Sequence, residues 1–462
     1  MMFPIFLALF GLLVAALAAG IAFREFTKKI AIVASGFVLA AMTAVMLIMF
    51  FLHISISQNY MYIPQLNMGL SFSINPISIV LLMMSSIVIF VSALISKDGG
   101  ASLLTIIFEI SALGLFASSN LLLFYIFWDI GVIAIFFIIN VFGSAERKGA
   151  AFKFLVYSIA ASSLLLAGIL LIYSYLPIHS FNIQYIIQNS QSIPEFVQWL
   201  IFVFLAAAFI IKMPIFPFHS WIGGAYTEAP TGGSMLISGV LSKYGAYGLL
   251  LLFLMMPIAH QLAGYIAILA GFSAFYAIFV AIGQIDIKMM FAYLSMAEMA
   301  IITLGITSFT ALGESGALYG MLAYGLGMAL LFMIAGSVEY MFNSRNISII
   351  KGIIENSVST TYSFLLGAFS ATGVPLTAGF IADLLIFIGA FEGFGFYGLI
   401  PLAAIVLIGA YLYFVASKSF LSSHKHTEAA FLIEKKVKVG YAILLFFIFF
   451  FGVFPFIFLN VI

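Results

Sequence analysis

Charged residues are scarce in this chain of 462 residues, since 7% of them are Asp, Glu, Lys or Arg while 65% are hydrophobic. A soluble protein needs roughly a quarter charged residues to keep its surface in water, so this composition excludes a soluble globular protein. Apolar stretches of about twenty residues, the length at which a helix crosses a hydrocarbon core, follow one another along the chain. We therefore expect an all-α polytopic protein embedded in the lipid bilayer.

Cysteine is absent, which excludes disulfides and cysteine-ligated iron–sulfur clusters within this chain. The net charge of +1 gives no indication of nucleic acid as a partner. No glycine-rich phosphate loop or other cofactor motif is present, and the spacing of His219 and Glu228 matches no metal-binding pattern. We expect neither a cofactor nor a metal in this chain. The opening MMFPIFLALF has no basic residues before its apolar run, so it is predicted to be a first membrane helix, not a cleaved signal.

Hydropathy predicts fourteen membrane-spanning helices, which we number as spans 1 to 14. They lie at 3–23, 30–53, 74–96, 102–118, 120–142, 150–175, 199–217, 231–254, 258–282, 289–308, 315–340, 361–391, 397–420 and 439–460. The polar stretch 422–436 is predicted to be a connector at the membrane interface.

The placement of basic residues supports this count. Three of the 17 lysines and arginines, Lys153, Lys212 and Lys243, fall in the interior of spans, and the other fourteen lie in connections that follow odd-numbered spans or, for Lys418, at the end of span 13 that leads into one. The connections after even-numbered spans and both termini have none. By the positive-inside rule, the odd-numbered connections are predicted to be cytoplasmic and both termini to lie outside the plasma membrane.

Seven acidic residues and lysines lie in the interior of the predicted spans, away from their last residues, namely Glu109, Asp129, Lys153, Lys212, Lys243, Glu298 and Asp383. An ionised side chain at the bilayer centre costs about 2.5–3.5 kcal/mol on insertion scales, so such groups by default face the bundle interior and mark an ion path. All three bases are lysines, which change charge readily when desolvated, whereas arginine does not; this favours protons. Each residue also has a structural alternative: Lys153 could snorkel to the interface, and the others could be static ion pairs or hydrogen-bonding groups.

Two spans contain helix breakers next to ionisable residues. Span 7 contains Pro214 and Pro217 beside Lys212, and span 12 contains Pro375 shortly before Asp383. Broken helices in corresponding halves of a chain indicate a transport site, because the freed backbone groups must line a polar cavity.

The two breaks lie five spans apart, and so do the acids of spans 5 and 10. An odd offset reverses the direction through the membrane, so spans 4–8 and 9–13 are predicted to form two inverted repeats. The predicted organisation is spans 1–3 (1–101), the first repeat (102–254), the second repeat (258–420), and a connector with span 14 (421–462).

Three segments resemble the antiporter-like membrane subunits of respiratory complex I. These segments are FYIFWDIGVIAIFFI (124–138), KMPIFPFHSWIGGAYTEAPTGGSMLISGVLSKYGAYGLL (212–250) and DIKMMFAYLSMAEMAIITLG (286–305). The same family includes the large subunits of Mrp-type cation/proton antiporters and their counterparts in membrane-bound hydrogenases and sulfane reductases. The resemblance extends over roughly 70–430.

The resemblance implies a fourteen-helix fold with inverted repeats and a proton path at mid-membrane, driven by partner subunits. By position, Asp129 matches the acid of span 5, Lys212 its paired lysine, Lys243 the lysine that relays charge onward, and Asp383 the terminal ionisable residue. The implied partners are other membrane subunits, with iron–sulfur redox subunits in the same assembly. The resemblance implies that the transported ion is the proton, with sodium left open, and that the chain itself is a non-redox, ion-translocating subunit of an oxidoreductase complex.

This sequence also departs from the family pattern. Glu298 stands where histidine is frequent, Tyr324 and Met328 replace a histidine and a lysine in span 11, and Glu109 is an additional acid. The leading hypothesis is a proton-translocating subunit of a redox-driven complex. The alternatives are a subunit of an Mrp-type sodium/proton antiporter without a redox partner, and a structural subunit whose channel has lapsed, which the changes in span 11 would favour.

Overall fold

The computed structural model describes residues 5–52, 54–63, 68–423 and 433–459. Helices account for most of this part of the chain. The α-helices are α1 (Ile5–Ala22), α2 (Thr27–Leu52), α3 (Pro76–Ile95), α4 (Gly99–Ala117), α5 (Leu121–Phe142), α6 (Arg147–Tyr175), α7 (Ile183–Asn189), α8 (Glu195–Lys212), α9 (Ile222–Glu228), α10 (Thr231–Leu236), α11 (Ser242–Met255), α12 (Ala259–Ile282), α13 (Ile287–Thr307), α14 (Ala311–Phe342), α15 (Ile353–Asn356), α16 (Val358–Ala371), α17 (Ala378–Phe394), α18 (Ile400–Val415), α19 (Lys435–Val453) and α20 (Phe456–Leu459). A π-helical segment, Ile237–Leu241, joins α10 to α11, and another, Ala416–Phe420, follows α18.

Thirteen helical stretches of the described chain are long and apolar enough to cross a membrane. One of them, Ala378–Phe420, runs through α17 and α18, which are the second half of span 12 and most of span 13. Once these are counted separately, with α16 as the first half of span 12, the fourteen predicted spans are all present. The prediction of a polytopic helical membrane protein is confirmed.

The connection between spans 2 and 3 folds into a β-hairpin that hydropathy did not predict. Strands β1 (Ile56–Ile63) and β2 (Met68–Ile74) pair antiparallel, with Ile56 opposite Ile74. In β2, the apolar side chains of Phe72 and Ile74 are buried and alternate with serines. This period of two is the signal of a half-buried strand.

The connections between spans form two groups, and connections of the same group contact one another. After even-numbered spans, Ser119 N donates to Ser71 O and Ile183 N donates to Ser119 O, both at 3.0 Å. After odd-numbered spans, Arg345 bonds to Glu228 at 3.5 Å. These contacts support the alternation on which the charge argument depends. Lys425 and most of the predicted connector lie outside the described residues.

Both predicted breaks are present. In span 7, α8 ends at Lys212 and α9 begins at Ile222. Protein groups bond the backbone at this break: Ile211 O at the end of α8 accepts from the Trp221 indole at 3.0 Å, and Phe216 N donates to Ser273 Oγ at 3.1 Å. The break therefore has hydrogen-bond partners without lipid-exposed polar backbone at these positions.

In span 12, α16 ends at Ala371 and α17 begins at Ala378. Gly373 has a φ of 63°, in the left-handed region that glycine enters without steric penalty. The division of the chain into two repeats at the predicted boundaries stays a prediction.

Small residues bring α14 and α17 into close contact in the second half of the chain. A Cβ on Gly316 would lie 2.6 Å from Ile386 N, and a Cβ on Gly389 would lie 2.2 Å from Gly313 N. Because membrane helices associate mainly by close packing, glycines at such contacts allow the backbones to approach. This packing brings Tyr324 of α14 against Asp383 of α17.

Candidate functional site

Lys212 is the last residue of α8 and lies directly before the break in span 7. Its side chain is 1% exposed, and its ammonium nitrogen has no hydrogen-bond partner. The nitrogen lies 5.0 Å from the centroid of the Trp128 ring and 5.4 Å from that of Phe154. Aromatic faces stabilise a cation electrostatically, so these rings support a charge on Lys212 without fixing it in an ion pair.

Asp129 lies on α5, next to Trp128, and its charge acts electrostatically on Lys212. The two side chains are nevertheless not within 4 Å of each other, so they do not form the contact ion pair that a direct Asp–Lys pairing would require. Instead, the Ser162 hydroxyl of α6 donates to Asp129 Oδ1 at 2.5 Å. The Asp129 side chain is short, and its carboxylate accepts a hydrogen bond from Ser162 while the Lys212 ammonium has no hydrogen-bond partner.

Lys243 is fully buried in the first turn of α11, after the π-helical segment. Its ammonium donates to Ser238 O at 2.7 Å. Glu298 of α13 is 2% exposed, has one carboxylate oxygen without a partner, and interacts electrostatically with Lys243. Lys243 and Glu298 are thus two buried ionisable groups, a base and an acid, that interact electrostatically at the junction of the two predicted repeats without a contact ion pair within 4 Å.

Close packing connects the surroundings of Lys212 and Lys243. Gly245, two residues after Lys243, faces α8 so closely that a Cβ there would lie 3.1 Å from Lys212 Cβ and 2.7 Å from Phe209 O. Any larger residue would push α11 away from α8. Glycine at this position therefore keeps the helices of the two lysines in contact.

Asp383 lies in α17 and is 6% exposed. The Tyr324 hydroxyl of α14 donates to its Oδ1, while its Oδ2 has no partner and lies against Gly373 in the break of span 12. A Cβ on Gly373 would come within 2.5 Å of Oδ2. Glu298 interacts electrostatically with both Asp383 and Tyr324. Tyr324 therefore places a hydroxyl on Asp383, within electrostatic range of Glu298.

Asp129, Lys212, Lys243, Glu298 and Asp383 form a series that we call the row. The other two predicted residues, Glu109 and Lys153, lie outside it. Glu109 is fully buried on α4, where Ser35 of α2 donates to its Oε2 at 2.7 Å and its Oε1 has no partner. Lys153 is exposed on α6, and its charge acts on His219, which lies within the break of span 7. The exposed position matches the snorkelling alternative for Lys153, and neither residue joins the remaining five.

Sequence reasoning missed Ser162 and Lys288 at polar sites, and it noted Tyr324 only as a departure from the family pattern. Ser162 and Tyr324 donate hydrogen bonds to the two aspartates, and a search for charged groups does not detect hydroxyls. Lys288, counted among the loop lysines, is 2% exposed and pairs with Glu339 at 2.7 Å. Among the described residues, no group of three or more His, Cys, Asp or Glu side chains is arranged to hold a metal ion.

The fold and this row define a polytopic membrane protein that has two broken membrane helices and ionisable side chains inside its spans. Residues 118–412 match the family described as NADH:quinone oxidoreductase/Mrp antiporter, TM. The chain is 34% identical over 360 residues to NADH-quinone oxidoreductase subunit M of Rickettsia typhi, and the aligned region covers 77% of this chain and 72% of the relative. It is 32% identical over 365 residues to F(420)H(2) dehydrogenase subunit M of Methanosarcina mazei, covering 76% and 73%.

Solved structures agree at the level of the fold. A chain in the structure of respiratory complex I from Thermus thermophilus with bound NADH superposes with a TM-score of 0.88 at 22% identity, covering 97% of both chains. The chain belongs to the NADH:quinone oxidoreductase/Mrp antiporter family of membrane proteins. The resemblance stated from the sequence motifs is thereby confirmed, and the relatives are subunits of multi-subunit membrane complexes.

Proposed function

We propose that this chain is a proton-translocating, antiporter-like subunit of a redox-driven membrane complex. The observation that carries the proposal is the row Asp129–Lys212–Lys243–Glu298–Asp383. Lys212 in its first half and Asp383 in its second half each lie beside the break of a membrane helix. Buried ionisable groups with unpartnered atoms, at Lys212, Glu298 and Asp383, can change charge as protons arrive and leave. In a static packing role, a buried polar atom without a partner would instead carry an uncompensated cost.

The proposal places the redox chemistry in other subunits of the assembly. This chain has no cysteine, so it cannot hold cysteine-ligated iron–sulfur clusters, and we propose partner subunits that contain them. The curated relatives named above belong to NADH and F(420)H(2) oxidoreductases, which favours a redox-driven complex over an Mrp-type antiporter without redox partners. The bond from Tyr324 to Asp383 opposes a lapsed channel, because it supplies a polar group where the family pattern is interrupted.

The proposed orientation follows the basic residues. Arg147, Arg345 and the other loop cations lie after odd-numbered spans, so we propose that these connections face the cytoplasm and that the chain resides in the plasma membrane. Protons would then enter from the side on which Glu228 and Arg345 meet. The proposed ion is the proton, with sodium as an outcome that the experiment distinguishes.

The experiment is Lys212→Ala in the purified complex, reconstituted into sealed vesicles. Proton pumping should be abolished, while electron transfer to an artificial acceptor persists. The matched control is Lys153→Ala, which removes a lysine from the exposed face of the adjacent α6 and should leave pumping unchanged. Pumping that persists in Lys212→Ala refutes the proposal. Ion movement that requires added sodium in the unaltered complex replaces the proton with sodium.

A further inference from the structure

Three buried lysines lie in the described part of the chain, and they differ in what surrounds their ammonium groups. The ammonium of Lys243 donates to a backbone carbonyl, and that of Lys288 pairs with a glutamate. The ammonium of Lys212 has no hydrogen-bond partner among the described residues. Since an unpaired charge inside a protein is costly, another group beside Lys212 has to stabilise its charged form.

Two aromatic rings from different helices lie beside this nitrogen. The Trp128 ring of α5 has its centroid 5.0 Å from Lys212 Nζ, and the Phe154 ring of α6 has its centroid 5.4 Å from the same atom. Both distances are within about 6 Å, the range in which the face of a ring attracts a cation. Both side chains are fully buried, and the absence of water strengthens this attraction. We call these two rings the aromatic cage.

Packing holds the Trp128 ring in position. Its centroid lies 6.0 Å from those of Phe124 and Phe209 and 6.4 Å from that of Tyr244. These contacts come from α5, α8 and α11 and do not involve the ammonium of Lys212. The ring therefore keeps its place whether or not the lysine carries a charge.

The Phe154 ring is supported from the break in span 7. Its centroid lies 5.5 Å from that of Trp221. The Trp221 indole donates to Ile211 O at 3.0 Å, and Ile211 directly precedes Lys212. The residue that follows the break thus joins the second ring to the end of the helix that carries the lysine, which fixes the cage relative to Lys212.

A tryptophan at position 128 has a cost that a phenylalanine would avoid. The indole N–H of Trp128 is buried and has no acceptor among the described residues, and a buried donor without a partner destabilises a fold. Apolar packing alone does not need this N–H group. An indole attracts a cation more strongly than the other aromatic side chains do, which accounts for tryptophan at this position.

The two rings can stabilise the charge of Lys212 but cannot accept its proton, because neither an indole nor a phenyl side chain has a basic atom. A carboxylate in the same place could do both. Asp129, the acid whose charge acts on Lys212, is not in contact with the ammonium and accepts a hydrogen bond from Ser162 instead. Stabilising the charged lysine and exchanging its proton are thereby assigned to different groups.

We propose that Trp128 and Phe154 are positioning residues that hold the protonated Lys212 in place while it is separated from Asp129. The inference rests on the proposed function and deepens it, because it names the groups that stabilise the lysine between one proton transfer and the next. A weaker cage lowers the population of the protonated, separated lysine. Proton transfer through Lys212 then slows in proportion to that population.

Fluorination of the Trp128 ring tests the cage with little change in the size of the side chain. Fluorine withdraws electrons from the ring and so weakens its attraction for a cation. Monofluoro-, difluoro- and trifluorotryptophan are incorporated at position 128 of the chain in the assembled complex. The matched control is the same series at Trp199, which lies on α8 with Lys212 and is 38% exposed. Proton pumping and electron transfer to an artificial acceptor are measured together in sealed vesicles.

We expect the pumping rate to fall with each fluorine added at position 128, by about tenfold over the series, because a desolvated cation–ring contact corresponds to about that factor in an equilibrium constant. Electron transfer should continue, and the series at Trp199 should pump normally. A ring with only a packing role would give equal pumping throughout the series at position 128, and that result overturns the cage. With such a result, loss of pumping in Lys212→Ala means that the cage alone fails, and pumping in Lys212→Ala means that the proposed function fails as well.

A substitution tests the second ring of the cage. Phe154→Leu keeps an apolar side chain but removes the ring face, so pumping should fall at least about threefold. The control is Phe6→Leu, which makes the same change at a phenylalanine of α1 that is 1% exposed. The two variants are compared at equal abundance in the membrane. Equal pumping in Phe154→Leu and Phe6→Leu would exclude Phe154 from the cage.

Discussion

Replacing Tyr324 with phenylalanine removes one hydroxyl from the buried row and leaves the ring in place. That hydroxyl is the hydrogen-bond donor to Asp383 Oδ1, and Asp383 Oδ2 has no partner. The variant therefore leaves the Asp383 carboxyl without a hydrogen bond in a site that is 6% exposed. It also removes the polar group between Glu298 and Asp383, so transfer between these two acids should slow.

The magnitude follows from the single bond that is lost. A hydrogen bond to a charged group contributes about 1.5–3 kcal/mol. Since each 1.4 kcal/mol or so corresponds to a factor of ten in rate, pumping should fall about 10- to 100-fold. The rate of electron transfer to an artificial acceptor should change much less, because that chemistry is proposed to lie in other subunits.

The assay is proton uptake and electron transfer measured together on the reconstituted complex. Tyr319→Phe is the matched control, because Tyr319 is also a buried tyrosine of α14 and its hydroxyl bonds Phe451 O at 2.5 Å, away from the row. Tyr319→Phe should pump normally at equal abundance in the membrane. Equal pumping by Tyr324→Phe and Tyr319→Phe would refute the role assigned to Tyr324.

Two further substitutions test which residues serve the row and which lie outside it. Ser162→Ala removes the 2.5 Å hydrogen bond to Asp129, so pumping should fall about tenfold as a bond to a charged group is lost; a ratio of pumped protons to electrons equal to that of the unaltered complex would contradict this. Glu109→Gln keeps an acceptor oxygen for Ser35 and should pump normally, because Glu109 lies outside the row. A loss of pumping in Glu109→Gln, at normal abundance by immunoblot, would place that acid in the path.

The number of spans and the positions of the breaks were predictable because lipid imposes them. A helix must be long enough to cross the hydrocarbon core, and prolines such as Pro214 and Pro375 cannot continue a helix without losing a backbone hydrogen bond. The placement of basic residues after odd-numbered spans then predicted the direction in which each span crosses the membrane. Both kinds of signal act along the chain and need no knowledge of packing.

The face on which each side chain lies could not be predicted in the same way. Both the lipid-facing and the protein-facing sides of these helices are apolar, so the periodicity that marks the buried face of a soluble helix is missing. The sequence therefore left the exposure of Lys153 and Lys212 open, and in the fold Lys153 is exposed whereas Lys212 is 1% exposed. The hydroxyl that serves Asp129 comes from α6, a neighbour that only the fold identifies.

Tyr324 illustrates a different limit. Compared with the family pattern, a tyrosine in place of histidine reads as a lost proton carrier, because the comparison considers one position at a time. In the fold, the close approach of α14 and α17 at Gly316 and Gly389 lets the longer tyrosine side chain reach Asp383. Tyr324 thus supplies a hydroxyl donor to Asp383 at the position where the family pattern has histidine.

The central claim is that protons cross the membrane through the groups on either side of Lys243. The most direct test is the number of protons pumped per electron transferred in the complex with Lys243→Ala, beside the unaltered complex in the same vesicles. Because Lys243 connects the Asp129–Lys212 half to the Glu298–Asp383 half, the account predicts that this ratio falls, with electrons still reaching an artificial acceptor. An unchanged ratio would contradict the account.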